Sequence, residues 1–157
     1  MAIEVRKAGL GDVEALMEWR MEVLREVFSL SEETPMGDLA EQNRRYYQKA
    51  LPAEEHLACF AYDCGEAVGC GGVCFHDEMP SPDNPAGRCA YLMNVYTRPS
   101  HRGRGVGRAI VLWLVDEAAR RGVGKIYLES SEAGKTLYRN MGFVPLPDMM
   151  KLPVGVR

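Results

Sequence analysis

The chain has no run of about eighteen apolar residues, the length that a membrane-crossing helix needs. It opens Ala2-Ile3-Glu4-Val5-Arg6 rather than with a basic segment followed by an apolar one. Both absences imply no membrane partner and a cytoplasmic protein. Positive charge is not in excess either: 19 Lys plus Arg stand against 22 Asp plus Glu, a net charge of −3. That balance argues against a nucleic-acid binder whose affinity comes from neutralising phosphates. Cys59, Cys64, Cys70, Cys74 and Cys89 form an odd set without a C-x-x-C pair, and no histidine stands at metal-ligand spacing. No metal is expected, the compartment reads as reducing, and cysteines in apolar stretches behave as small hydrophobes. A nucleophilic cysteine lacks support, because His56, His76 and His101 lie in no context that would activate one.

What is present is enough for one substantial core. With 157 residues, 46% of them hydrophobic, the expectation is one domain over residues 1–157. Ile3 to Lys7 alternates as a strand. Asp12 then stands where it can cap a helix carrying Val13, Leu16, Met17, Leu24 and Val27 at helical spacing, ending near Phe28. Asp38 to Leu51 reads as a second helix stopped by Pro52. Leu57 to Tyr62 and Ala67 to Phe75 are strand-like, and Asp63-Cys64-Gly65-Glu66 between them has hairpin turn chemistry. Met79 to Gly87, with three prolines, is a loop. Ala90 to Thr97 is extended, and the apolar run Ala109 to Val115, lengthened by its polar tail, reads as a helix stopped by Gly122. A short strand at Lys125 to Glu129, a short helix at Glu132 to Met141 and a terminal strand at Met149 to Val154 complete the path.

Arg102-Gly103-Arg104-Gly105-Val106-Gly107 joins the extended stretch to the long helix and is built to hold an anion. Glycines remove the Cβ atoms that keep a phosphate from backbone N–H groups, and the helix start leaves its first donors unpaired with the positive dipole end outward. Arg102, Arg104 and Arg108 add positive charge and forked donors. The dinucleotide pattern G-x-G-x-x-G would require glycine where Arg108 stands, with an acidic residue placed for a ribose. The triphosphate P-loop requires Gly-Lys-Ser/Thr, whereas Gly107 is followed by Arg108 and Ala109. Arg102, Gly105 and Gly107 instead form R-x-x-G-x-G.

That loop resembles the pyrophosphate loop of the GNAT N-acetyltransferase superfamily, which binds acetyl-CoA. Tyr91-Leu92-Met93-Asn94-Val95-Tyr96-Thr97 followed by Arg98-Pro99 is similar to the family's fourth strand and its proline-bearing turn. Leu137-Tyr138-Arg139-Asn140-Met141-Gly142-Phe143 is similar to its L-Y-x-x-x-G-F element. The resemblance implies an α/β (α+β) fold: a mostly antiparallel, twisted sheet of about six to seven strands flanked by about four helices, splayed between strands four and five. It further implies that backbone groups of Val95, Tyr96 and Thr97 pair with the pantetheine arm, that the loop from Arg102 through Gly103, Arg104, Gly105, Val106 and Gly107 to Arg108 takes the diphosphate, and that a homodimer forms.

If acetyl-CoA binds in this way, a neutral amine attacks the thioester, an oxyanion develops and a thiolate leaves. Backbone N–H at Val95 is the candidate oxyanion donor. Tyr138 occupies the position of the family's frequent general-acid tyrosine; an ordinary phenol, with a pKa of ~10, is protonated at neutral pH and able to donate. Seven residues earlier, Ser131 stands where the family often carries a cofactor-contacting asparagine. Ala90 to Thr97 contains no acid, which leaves Glu129, Asp77 and Glu78 as candidates for the base. Glu14, Glu18, Glu22 and Glu26 form an i, i+4 row, read either as a solvated face balanced by Arg20 and Arg25 or as attraction for a cationic amine. Tyr46 and Tyr47, with Asn43 and Arg44, line a pocket or cover the core. The implied activity is acetyl transfer to a small-molecule or peptide amine; a non-catalytic acyl-CoA-binding module and a polyanion-binding surface remain as alternatives.

Overall fold

The computed structural model describes residues 2–155. In chain order, strand β1 is Glu4–Ala8, helix α1 Val13–Val27 and helix α2 Gly37–Ala50. Three strands follow, β2 His56–Asp63, β3 Glu66–Asp77 and β4 Arg88–Thr97, and then α3 Val106–Arg120, β5 Lys125–Leu128 and α4 Lys135–Asn140. The strands lie side by side in chain order. β1 to β4 are antiparallel, and β5 joins β4 in parallel after the α3 crossover.

Alternation along β2 sends side chains to two cores. Leu57, Cys59 and Ala61 face α3, whose Ile110, Val111 and Leu114 are fully buried. Ala58 and Phe60 face α1, which contributes Val13, Leu16, Met17, Trp19 and Val23. Each fully buried aliphatic side chain of this kind is worth about 1.5–3 kcal/mol. The wholly apolar Ala109–Val115 run is helical because one stripe of it meets the sheet, while Leu112 faces outward. α3 lies close to the sheet because β3 offers it glycine: a Cβ on Gly71 would sit 2.4 Å from Ile110 Cγ2.

Four sequence expectations are corrected. Five strands form among the described residues rather than six to seven. Met149 to Val154 is not a strand; its side chains are exposed, and Pro147 and Pro153 remove ladder donors at both ends. Asp12 does not bond an amide of α1. Its carboxylate accepts from the N–H of Gly9 at 2.8 Å, closing the 3-10 turn Leu10–Asp12 that leads into the helix. Val27, at core spacing in the sequence, is 64% exposed. Of the cysteines, Cys59, Cys70 and Cys89 are buried as expected, whereas Cys64 is exposed in the β2–β3 turn and Cys74 is half-buried.

His56 begins β2 beneath α2, buried, with Tyr46 Oη 2.8 Å from its Nδ1 and the Tyr47 ring edge-on at 5.8 Å. Burial, and secondarily the charge of Arg20, lowers its pKa to about 4. The imidazole is therefore neutral when folded. The unfolded chain takes up a proton below its ordinary value of about 6.5.

Two outcomes follow for stability. Gly71→Ala is expected to cost about 1–3 kcal/mol in urea denaturation by overpacking α3. Because the folded pKa of His56 is depressed, its contribution is complete above pH ~6.5 and lost as pH falls toward 4, by on the order of 3 kcal/mol. His56→Gln should flatten that part of the stability profile, and an unchanged slope would refute the assignment.

Candidate active site

β4 and β5 pair only over Cys89–Leu92 against Lys125–Leu128. β4 runs on to Thr97 with β3 along its other side, so from Met93 onward one edge of an interior strand has no neighbour. This is the splay that the resemblance implied. The edge borders a cavity of about 740 Å³. Its lining brings together Val95, Tyr96, Thr97, Arg102, Gly103, Gly105, Val106, Gly107, Arg108, Ser131 and Tyr138; of the loop from Arg102 to Arg108, Arg104 alone is not among them.

On its other, β3-paired side β4 carries a bulge. Cys70 and Gly72 of β3 pair with Tyr96 and Met93, so β4 carries one residue more than β3 over the same stretch. Asn94 absorbs the irregularity at φ +57°, a conformation that asparagine tolerates better than most residues. The Asn94 side chain accepts from Arg20 of α1 at 2.9 Å, and its carbonyl oxygen accepts from the Cys70 thiol at 3.5 Å. The irregular backbone is thus held from both sides.

The loop after β4 has the geometry the glycines require. Gly103 and Gly105 have φ of +76° and +83°, and a Cβ at either would meet no other atom. Glycine is needed there for backbone conformation, since an L side chain in that region costs about 1–2 kcal/mol. Gly105 is the N-cap of α3, placing the helix's unpaired first amides on the cavity. Gly107 lets α4 approach: a Cβ there would lie 3.2 Å from Leu137 Cδ2.

Ion pairs tie this loop to α1. Arg102 donates to Glu26 at 2.5 Å and to the Thr97 carbonyl at 3.0 Å, so its guanidinium braces the loop against α1. Glu26 also accepts from the Tyr96 hydroxyl, and that bond, followed by the one from Arg102, holds its carboxyl below the usual carboxylate range. Arg98 pairs with Glu22 at 3.2 Å and stacks over Trp19 at 4.1 Å. Glu14 pairs with Arg44. The acidic row is therefore largely neutralised by Arg44, Arg98 and Arg102, not by Arg20 and Arg25 as the sequence suggested. Arg25 instead donates to the carbonyls of Ser31 and Thr34.

Tyr138 is half-buried beside Phe143, with ring centroids 5.6 Å apart. Burial raises its phenol pKa, and no hydrogen-bond partner for its hydroxyl occurs among the described residues. Ser131 Oγ accepts from the Gly134 N–H at 3.2 Å, shaping the turn before α4 while leaving its own O–H proton free. Glu129, just past β5, lines the cavity; Asp77 and Glu78 do not, and Glu78 is bonded to Lys125 and Asn84. Tyr46 and Tyr47 pack around His56 away from this cavity. Val27 and Phe28 line the cavity while remaining exposed. Sequence spacing gave no sign of this, because their partners across the cavity come from the other half of the chain.

Among the described residues no group of three His, Cys, Asp or Glu is arranged to hold a metal ion, and no helix is long and apolar enough to cross a membrane. The acetyltransferase (GNAT) family model matches residues 13–143. The [ribosomal protein bS18]-alanine N-acetyltransferase of Salmonella typhimurium is 31% identical over 128 residues, 80% of this chain and 71% of that protein. A predicted acetyltransferase from Clostridium acetobutylicum, solved with acetyl-CoA, superimposes with a TM-score of 0.85 at 26% identity, covering 97% of this chain and 96% of that one. A GCN5-related N-acetyltransferase from Ralstonia eutropha does so with a TM-score of 0.83 at 26% identity, covering 98% and 100%. An open β4 edge leading into a glycine cradle, on a chain with these relatives, leads to one assignment: the chain belongs to the GNAT family and is an N-acetyltransferase.

Proposed function

We propose that this chain, as one domain acting in the cytoplasm, transfers an acetyl group from acetyl-CoA directly to a primary amine of a small molecule or peptide. The observation that carries the reading is the free edge of β4, which runs straight into the Gly103–Gly107 loop at the start of α3. A pantetheine amide chain suits the edge groups of Val95, Tyr96 and Thr97, since it replaces the missing strand's hydrogen bonds. The loop amides from Gly103 to Gly107 suit a diphosphate, with Arg104 and Arg108 contributing charge and Arg102 holding the loop in shape. Ser131 offers one further hydroxyl donor.

The residues then divide the chemistry. Glu129 accepts the proton that the attacking nitrogen gives up as the C–N bond forms. The Val95 N–H, beside the bulge, stabilises the carbonyl oxygen as it becomes negative. Tyr138 donates its phenolic proton to sulfur as the C–S bond breaks, and solvent reprotonates it. Burial, by raising the phenol's pKa, keeps it protonated through neutral pH. The acceptor approaches the splay from the side of α1. The Salmonella relative is named for an alanine of a ribosomal protein; a peptide amine and a small amine are both within the chemistry of this site.

Two variants test the reading. Tyr138→Phe should lower kcat by ~10²–10⁴-fold while leaving the calorimetric Kd for acetyl-CoA within about threefold. If acetyl-CoA binds yet no amine from a panel of polyamines, amino acids, aminoglycosides and peptides releases thiol above the uncatalysed rate, the protein is a binding module. Gly105→Ala should weaken acetyl-CoA binding at least about tenfold and lower stability by about 1–2 kcal/mol through its positive φ. Unaltered affinity would remove the cradle from the site.

A further inference from the structure

The arginines around α1 fall into two kinds. Arg44, Arg98 and Arg102 each hold a carboxylate, from Glu14, Glu22 and Glu26. Arg20 does not. It lines the cavity, half-buried, and no aspartate or glutamate among the described residues comes within ion-pair distance of it. Among the described residues its bonds are to neutral amide oxygens, Asn43 Oδ1 at 3.1 Å and Asn94 Oδ1 at 2.9 Å. Val23 and Leu24, one turn further along α1, also line the cavity and offer no charge. The Arg20 charge is felt nearby, where it adds to burial in lowering the pKa of His56.

A guanidinium carries five donors in a planar fork, and withdrawing it from water without a counterion is unfavourable. Two bonds to amide oxygens fix the orientation of Arg20 without cancelling its charge. They leave a pre-aimed cation one side chain away from β4, at the residue next to Val95. The diphosphate cradle lies at the far end of β4, after Thr97, and has arginines of its own, Arg104 and Arg108, so the coenzyme does not need Arg20.

We infer that Arg20 recognises an anionic group on the acceptor, so that the substrate is a small primary amine carrying a carboxylate or phosphate a few bonds from its nitrogen. The inference rests on the transfer reading above and names the acceptor class for the same site. It opposes the cationic-amine reading of the acidic row on α1: Glu14, Glu22 and Glu26 are paired with Arg44, Arg98 and Arg102, Glu18 is exposed outside the cavity lining, and the charge left unpaired on the α1 wall of the cavity is positive. A charge-assisted, forked contact to an oxyanion supplies both affinity and register, placing the amine relative to the thioester.

The experiment compares matched amines, glycine against glycinamide and phosphoethanolamine against ethanolamine, with wild type, Arg20→Gln and Arg20→Lys. Dividing the anionic-to-neutral ratio of kcat/KM in wild type by the same ratio in Arg20→Gln cancels the intrinsic nucleophilicity of each amine. The quotient is expected to be about 10- to 100-fold for at least one pair, with Arg20→Lys intermediate. The pair that responds identifies carboxylate or phosphate. A quotient within about threefold of one for both pairs, in variants whose melting temperature and acetyl-CoA affinity match wild type, overturns the inference. Should none of the four amines turn over, thermal shift of the coenzyme A-loaded protein decides. A rise in Tm with glycine or phosphoethanolamine in wild type but not in Arg20→Gln upholds anion recognition while the transfer reading fails; no rise in wild type overturns it.

Discussion

At Leu92 strand β4 loses one of its two neighbours and continues to Thr97 with that side bare. An interior strand rarely gives up a ladder, because each unpaired backbone group withdrawn from water costs free energy. Here the loss is confined to one edge and opens onto a cavity, so water or an extended amide-bearing ligand can take the place of the missing strand. The rest of the site is arranged around that edge. The bulge at Asn94 changes the direction of its groups, α3 begins where it ends, and α4 approaches it closely enough for Tyr138 to border the same space.

Holding such an edge open requires rigidity on its other sides. β3 pairs with β4 from Arg88 to Thr97 except at the bulge of Asn94 and Val95, and Gly71 lets Ile110 and Leu114 press against the sheet from below. From above, the C-terminal half of α1 is fastened to the end of β4 and to the loop through Glu22–Arg98, Glu26–Tyr96 and Glu26–Arg102. Individually, partly exposed ion pairs contribute little to stability. Their value here is positional, because two of them, together with the Glu26–Tyr96 hydrogen bond, converge on the end of β4 and set the distance between α1 and the glycine loop. The distribution of charge follows: carboxylates on this wall are consumed by the scaffold, and Arg20 keeps its charge.

Much of this was legible in the chain. The period of two in β1 and of 3.6 in α1, the turn at Asp63–Glu66, and the alternation of glycine and arginine from Arg102 to Gly107 each report a local requirement. Backbone conformation and apolar periodicity are written in neighbouring residues. Gly103 and Gly105 are in the left-handed region that their identity permits, and Tyr138 borders the same cavity as the loop, as its motif implied. The terminal strand at Met149–Val154 was misread because its apolar residues carry β propensity, whereas a strand exists only when a partner edge accepts it.

Sequence by itself determined the order of elements, the glycine loop at the start of α3 and the family, because each depends on contacts within a turn or two of chain. Tertiary structure alone decided where β5 stops pairing with β4 and which arginine meets which glutamate. It also decided that Val27 and Phe28 border a cavity instead of entering the core. Those outcomes join residues 30 or more positions apart, from Glu14 with Arg44 to Arg20 with Asn94 and Glu26 with Arg102. No periodicity records such a meeting; it is fixed by the packing of whole elements, which leaves one positive charge beside β4 without a partner.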